Sequence, residues 1–186
     1  MRFLLRLKHW QIFLLTWGIP IIIDIYAFSD PGLLIKLFPI MMAVFSLTFF
    51  GWIWAISTEL NRLLAKDSEL NITRFKLIFS IAITYVTTIN LFLLFPEYLK
   101  FPETTLFSVV LIPIHLISLL SILYGCRFAG RTIKSLELGR TATHTESHRE
   151  YGQVAILFIG IWTLQPKLNK IIRDDGYIIN KLPKKD

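Results

Sequence analysis

Four long apolar blocks, separated by short polar stretches, constrain the fold of this chain more than any other feature. The blocks are Trp10–Phe28, Leu33–Ile56, Leu77–Phe95 and Thr105–Tyr124. Because an α-helix rises about 1.5 Å per residue, about 20 apolar residues cross the roughly 30 Å hydrocarbon core of a bilayer. Hydrophobic residues make up 54% of the chain and charged residues 18%, a balance more typical of membrane proteins than of soluble domains. The pattern predicts an all-α membrane protein with four transmembrane helices.

Turn-forming residues connect the blocks in pairs. Residues 29–32 (Ser-Asp-Pro-Gly) join the first and second blocks, and residues 96–103, which contain two prolines, join the third and fourth. Proline interrupts helices and suits such short connections. We therefore expect two helical hairpins, which together form a transmembrane domain over residues 1–126.

The distribution of basic residues predicts the orientation of these spans. Three of the twenty Lys and Arg residues precede the first block, four lie in Ser57–Lys76, and eleven follow Tyr124. Only Lys36 and Lys100 lie on the other side of the predicted membrane. Cytoplasmic segments of membrane proteins are enriched in Lys and Arg, so both termini are predicted to be cytoplasmic.

Residues 127–186 are predicted to form a basic cytoplasmic C-terminal helical region. Arg127–Arg140 continues the fourth block as a helix, and Thr141–His148 is a polar connector. The apolar run Val154–Leu164 is too short to span a bilayer, and extending it to Ile172 would place two lysines in lipid. An interfacial, re-entrant or bundle-packed helix is therefore expected for this segment.

Polar residues inside the predicted spans are candidates for a pore lining or gate. Ser80, Thr84 and Thr87 fall within about 60° of one another on a helix that turns 100° per residue. Hydroxyls in membrane helices also bond to their own backbone or to neighbouring helices, and that alternative stays open. His115 lies near the centre of the fourth block, where an ionisable group indicates either a hydrogen bond buried in the bundle or a pore-lining role.

Asp24 and Lys36 carry opposite charges near the outer ends of the first two predicted spans. A salt bridge between them would neutralise both charges at the membrane boundary. If they face the axis of an oligomer, they would instead form rings of charge that set ion selectivity.

The tail carries a cationic surface that predicts contact with an anionic ligand or lipid. Anionic lipid headgroups attract such clusters. A nucleotide or single-stranded oligonucleotide is the alternative, because phosphates bind Lys and Arg, and two aromatic side chains are available for base stacking. The cationic residues are Arg127, Arg131, Lys134, Arg140, Lys167 and Lys170, and the aromatic residues are Tyr151 and Trp162.

Catalytic chemistry is not expected of this chain. Its sequence contains no clustered nucleophile and base, no phosphate-binding loop and no convincing set of metal ligands. His144 and His148 are four residues apart, but the glutamate between them is not placed as in a metalloprotease helix. We predict a protein that is not an enzyme and that uses no cofactor or metal.

Two segments of the tail resemble a set of small uncharacterised bacterial four-pass membrane proteins. Residues 134–138 read Lys-Ser-Leu-Glu-Leu, and residues 162–169 form a W-x-x-Q-P-x-x-N segment. The resemblance implies a location in the bacterial inner (cytoplasmic) membrane. In architecture, four spans and a small basic tail also look like the Hailong-type channel effectors of anti-phage systems, in which an oligonucleotide controls a membrane channel.

These features favour a homo-oligomeric channel or pore-forming protein, gated by an anionic ligand at its cytoplasmic tail and serving in anti-phage defence. Four spans enclose little space, so a pore requires several copies of the chain. The alternative is a non-catalytic accessory or assembly subunit, whose Trp162–Ile172 helix docks on a membrane partner protein. The expected partners are thus the lipid bilayer, further copies of the chain, and either the anionic ligand or the partner protein.

Overall fold

The computed structural model describes residues 2–28, 30–64, 68–95 and 105–173, and these residues form helices and turns without a strand. The all-α class predicted from the sequence is confirmed. The helices are α1 (Arg2–Arg6), α2 (His9–Ala27), α3 (Pro31–Ala55), α4 (Ile72–Leu94), α5 (Thr105–Leu138), α6 (His148–Ala155) and α7 (Leu157–Arg173).

Four helical segments are long and apolar enough to cross a bilayer. They are His9–Ala27, Gly32–Leu63, Ile72–Leu94 and Val109–Leu138. The predicted number of spans is thereby confirmed, and the chain has the architecture of a multi-pass membrane protein. Their pairing as two hairpins stays a prediction, since the connection between the third and fourth segments lies outside the described residues.

Local sequence explains where these helices begin and bend. The carboxylate of Asp30 accepts hydrogen bonds from the backbone N–H groups of Gly32 and Leu33 and so caps α3. In α2, a π-helical turn at Leu14–Gly18 precedes Pro20. Proline has no N–H to donate to the preceding turn, which accounts for the irregular hydrogen bonding at this point.

The packed core lies at one end of the molecule. At about 1.5 Å per residue, the second and fourth segments are about 48 and 45 Å long, so both extend beyond a hydrocarbon core of about 30 Å. Fully buried side chains, including Trp52, Ile56 and Ile133, lie toward the C-terminal ends of these two segments. Elsewhere on the spans, large apolar side chains such as Ile25 and Leu120 are exposed, as lipid-facing residues are.

The C-terminal helices complete this core. Helix α6 packs against α5, and α7 packs against α1 and α2. The apolar run Val154–Leu164 is therefore divided between two helices, and Leu164 and Leu168 are buried against the chain itself. Helix α5 continues without interruption through residue 126, and one cluster of buried side chains includes residues from both predicted domains.

Candidate functional site

Two side-chain amides of α7 bind the backbone where α1 ends and α2 begins. The last carbonyls of a helix have no donor within that helix and need one from elsewhere. Gln165 Nε2 donates to the carbonyl oxygens of Leu4 at 3.1 Å and Leu7 at 2.8 Å. Asn169 Nδ2 donates to those of Leu5 at 2.7 Å and Leu7 at 2.9 Å. One turn of α7 thus provides donors to three carbonyls around the break between the first two helices.

The other end of the Gln165 amide is bound by the second span. Gln165 Oε1 accepts a hydrogen bond of 2.8 Å from Trp52 Nε1, and both side chains are fully buried. Glycine permits this close packing: a Cβ on Gly51 would lie 2.9 Å from Leu4 Cδ1, and one on Gly160 would lie 3.1 Å from the Trp52 ring. The N-terminal helix, the second span and the tail are therefore fixed at one point, which we call the amide clamp: Trp52, Gln165, Asn169 and the Leu4, Leu5 and Leu7 carbonyls.

Trp162, predicted as a base-stacking residue, packs on the beginning of the first span. Its ring centroid is 4.7 Å from that of His9 and 5.7 Å from that of Phe13. The tryptophan, glutamine and asparagine of the W-x-x-Q-P-x-x-N segment thus all contact the N-terminal part of the chain. No role was predicted for Gln165 or Asn169 from the sequence. Two amides four residues apart, on the helix face that also holds Ile161 and Ile172, were the signal.

Several predicted anion-binding cations have acidic partners within the chain. Lys134 Nζ lies 3.0 Å from Glu137 Oε2 and 3.7 Å from Glu150 Oε1, and Lys167 also pairs with Glu137. Glu150 is nearly fully buried, and its Oε2 has no hydrogen-bond partner among the described residues. Partial burial lowers the pKa of Lys167, and the neighbouring Lys134 adds to this shift, while the pairing with Glu137 favours the charged form.

Arg140 closes the connector between α5 and α6. Its guanidinium forms two hydrogen bonds with the carboxylate of Glu146, which also accepts bonds from the backbone N–H and hydroxyl of Thr143. The bond from Arg140, followed by those from Thr143, lowers the pKa of Glu146 to about 2. Arg140 is therefore engaged in an ordered turn.

Arg127 and Arg131 hold the same connector from the long helix α5. Arg131 donates two hydrogen bonds to the carbonyl oxygen of Ala142, at 3.1 and 3.0 Å. Arg127 Nε donates to His144 Nδ1 at 2.9 Å. Desolvation, and then the charges of Arg131 and Arg127, lower the pKa of His144, a shift that favours the neutral ring, whose Nδ1 can accept this bond.

Tyr151 and Lys170, the other two residues of the predicted anion-binding surface, take no part in these hydrogen bonds and ion pairs. Tyr151 is half-buried, and its ring packs edge-on against that of His148 at 6.0 Å. Lys170 lines a cavity together with Arg6 and Lys8 of the N-terminal segment. Sequence analysis placed Lys170 with the cations of α5 and did not include Arg6 or Lys8 in the site.

The predicted hydroxyl stripe of the third span is divided between two surface grooves. Thr84 lines a groove of about 590 Å³ between α4 and α5, whereas Thr87 lines one of about 440 Å³ between α3 and α4, and Ser80 lies at the edge of both. Ser80 Oγ donates to the carbonyl oxygen of Lys76 at 2.6 Å, which is the backbone bonding that the sequence also allowed.

His115 is exposed on the surface of the spans and pairs with Tyr85 of the third span. Tyr85 Oη lies 3.0 Å from His115 Nδ1, and the two rings are perpendicular, with centroids 5.6 Å apart. Tyr85 and Thr84 line the same groove between α4 and α5. Sequence analysis identified His115 but missed Tyr85, since tyrosine in a membrane helix is not by itself unusual.

Asp24 and Lys36 are both exposed, and no ion pair joins them. The salt bridge considered from the sequence is therefore not formed within one copy of the chain. Within the described ranges, no cluster of three or more His, Cys, Asp or Glu side chains has the arrangement of a metal site.

Comparisons with protein-family models, with curated proteins and with solved structures find no match to this chain. The resemblance carried by the two tail segments, and the architectural likeness to Hailong-type effectors, stay predictions.

Proposed function

We propose that the protein is a homo-oligomeric channel of the bacterial inner membrane, with both termini in the cytoplasm and the groove between α4 and α5 at the contact between copies. The observation that supports this best is the Tyr85–His115 pair, which lies on the outer surface of the third and fourth spans. This surface, with Thr84, is here called the polar face.

The energetics of the polar face favour contact with protein or water over contact with lipid. A histidine ring has two nitrogens that form hydrogen bonds, and the contact with Tyr85 occupies only Nδ1. Leaving a polar group unpaired in an apolar medium is costly, and ionisable residues in membrane helices therefore usually face a bundle interior or a water-filled cavity. In one copy this ring faces outward, so a neighbouring copy or a water-filled pore must supply the second partner.

The packed end of the molecule is the proposed cytoplasmic end. It contains the N-terminal segment, the extension of the second span and the basic tail, which are the regions that the positive-inside rule places there. A ligand that binds at this end can act on the spans directly, because the amide clamp connects the tail to the first and second spans. Control by an anionic ligand at this end is therefore part of the proposal. Anti-phage defence is predicted from the resemblance alone.

Oligomeric state and cross-linking test the proposal. In a Cys126→Ser background, Thr84→Cys on the polar face is expected to form disulfide-linked dimers under mild oxidation in membranes. Ile22→Cys, which is exposed on the first span, serves as the matched control and is expected to remain monomeric.

Reconstituted parent protein is expected to conduct ions in planar bilayers. A monomer in mild detergent that gives no conductance would refute the channel, and a stoichiometric second protein that co-purifies with such a monomer would favour the accessory subunit instead.

A further inference from the structure

A cavity of about 700 Å³ opens between the N-terminal segment and helix α7. Its volume falls within the range of about 300–1,000 Å³ that is usual for small-ligand sites. Of the six described residues that line it, three are cationic and one is an amide. The lining residues are Arg6, Lys8, Pro166, Asn169, Lys170 and Ile172.

The three cations of this cavity differ from the other basic residues of the tail. Lys134, Lys167 and Arg140 each pair with a glutamate. Arg6, Lys8 and Lys170 are exposed and form no ion pair with an acidic side chain in the part of the chain that the structure describes. Like charges gathered around one cavity repel one another, and an anion within it would relieve that repulsion.

The cavity lies where a phospholipid headgroup would lie. Arg6 and Lys8 immediately precede the first span, which begins at His9. Phe3 and Trp10 are exposed on either side of them, and tryptophan is enriched at the boundary between headgroups and acyl chains. Pro166 and Ile172 provide apolar walls beside the charges. A molecule that is anionic at one end and apolar at the other matches these surroundings.

We propose that this cavity binds the phosphate group of an anionic phospholipid. The Arg6 guanidinium is suited to two parallel hydrogen bonds with phosphate oxygens, while Lys8 and Lys170 contribute point charges. A bound phosphate contacts the N-terminal segment and α7 together, and so acts beside the amides of Gln165 and Asn169 that join the same two parts. An oligonucleotide fits less well, because among the residues that the structure describes none of those lining the cavity is aromatic and able to stack on a base.

Native mass spectrometry of the full chain in mild detergent tests this proposal. The probes are phosphatidylglycerol, phosphatidylcholine of the same acyl chains, inorganic phosphate and a short oligothymidylate. We expect phosphatidylglycerol to bind at least about tenfold more tightly than phosphatidylcholine, since each basic residue near an anionic headgroup favours binding. Equal retention of the two lipids would overturn the proposal. Saturable binding of oligothymidylate or inorganic phosphate without a preference for phosphatidylglycerol would also overturn it.

A matched pair of triple variants separates the cavity from general charge effects. Arg6→Gln, Lys8→Gln and Lys170→Gln together are expected to remove most of the preference for phosphatidylglycerol. Arg74→Gln, Lys76→Gln and Arg149→Gln remove the same charge from exposed positions outside the cavity and are expected to leave the preference within about twofold. An equal loss in both variants would contradict a specific site.

The single variant Lys170→Gln controls for misfolding of the triple variant. The Lys170 side chain is exposed and forms no hydrogen bond among the described residues, so its replacement is expected to leave the fold intact. The single variant is expected to keep the helical circular dichroism of the parent and to weaken phosphatidylglycerol binding measurably. Unchanged lipid binding in this folded variant would exclude Lys170 from the site and overturn the assignment of the cavity. None of these measurements depends on the channel proposed above.

Discussion

The indole Nε1 of Trp52 donates a hydrogen bond of 2.8 Å to Oε1 of Gln165, which lies 113 residues further along the chain. Both side chains are fully buried, and the same glutamine donates two bonds to the backbone of the N-terminal segment. A single amide therefore binds both the second span and the N-terminal segment to the tail. Because the amide oxygen and both amide N–H groups are used, loss of this side chain leaves the Trp52 indole N–H and the Leu4 carbonyl without their partner, whereas the Leu7 carbonyl keeps its bond from Asn169.

Replacing Gln165 is expected to destabilise the protein strongly. Gln165→Leu leaves the Trp52 indole N–H and the Leu4 carbonyl without their partner, which costs about 1–3 kcal/mol in the free energy of unfolding for a buried unsatisfied group. Unfolding in mixed micelles of mild detergent and dodecyl sulfate, followed by circular dichroism, measures this change. The control is Gln153→Leu, because that half-buried side chain forms no hydrogen bond in the described ranges. Equal stability of the two variants would show that the clamp does not hold the tail.

Helix α6 approaches α5 so closely that only glycine fits at position 130. A Cβ on Gly130 would lie 2.6 Å from the backbone nitrogen of Tyr151 and 2.8 Å from its Cα. Gly130→Ala is therefore expected to lower the free energy of unfolding by about 1–3 kcal/mol, as overpacking of a core does. Thermal unfolding in detergent measures the change.

Gly152 provides the matched control for this substitution. It lies in α6, and a Cβ there would meet nothing within 4 Å. Gly152→Ala is expected to leave the stability unchanged or to raise it by up to about 1 kcal/mol, because alanine favours helix more than glycine does. Equal stability of Gly130→Ala and Gly152→Ala would show that α5 and α6 are not in close contact at Gly130.

The spans could be predicted from the sequence because the hydrocarbon core of a bilayer restricts which segments of a chain can cross it. A bilayer requires long apolar helices, so the four blocks around Ile21, Val44, Ile83 and Leu116 predicted the number of candidate spans directly. The amide clamp could not be predicted in this way. The N–H groups of Gln165 and Asn169 donate to backbone carbonyls, which every residue possesses. The one side-chain partner, Trp52, lies 113 residues from Gln165, so sequence spacing does not link the two.

The predicted cationic surface shows that the order of charged residues along a sequence does not determine which of them form ion pairs. The pair Lys134–Glu137 is three residues apart on a helix and could have been recognised from spacing alone. The pairs Lys167–Glu137 and Lys134–Glu150 depend on how α5, α6 and α7 pack together. Counting basic residues therefore indicated a region rich in cations, but it did not indicate which of those cations pair with an acidic side chain among the described residues.

Acid is expected to open the turn between α5 and α6 only at very low pH. The pKa of Glu146 is about 2, below its ordinary value of 4.5, so its bonds stabilise the folded turn fully above pH 4.5. This stabilisation declines as the pH falls below 4.5 and is lost as it passes through about 2. Amide hydrogen exchange at Thr143, whose N–H binds Glu146, is therefore expected to remain protected at pH 5. In Glu146→Gln the protection is expected to be weaker at pH 5, where the parent carboxylate is ionised, and to match that of the parent below about pH 2. Identical exchange of the two proteins at pH 5 would contradict this account.

The polar face gives the most direct test of the channel. Removing the imidazole by His115→Ala is expected to change single-channel conductance or ion selectivity, because it removes a polar group from the proposed water-accessible surface. Tyr85→Phe keeps the ring but removes its hydrogen bond to His115, and is expected to weaken α4–α5 packing by only about 0.6 kcal/mol, as is typical of hydrogen bonds between membrane helices.

Ser121→Ala is the control on the same helix as His115, since Ser121 is buried within one copy and bonds to its own backbone at Ile117. Planar-bilayer recordings of the parent and the three variants should therefore show a changed conductance in His115→Ala and an unchanged one in Ser121→Ala. Indistinguishable recordings from these two variants would place His115 outside the conducting path.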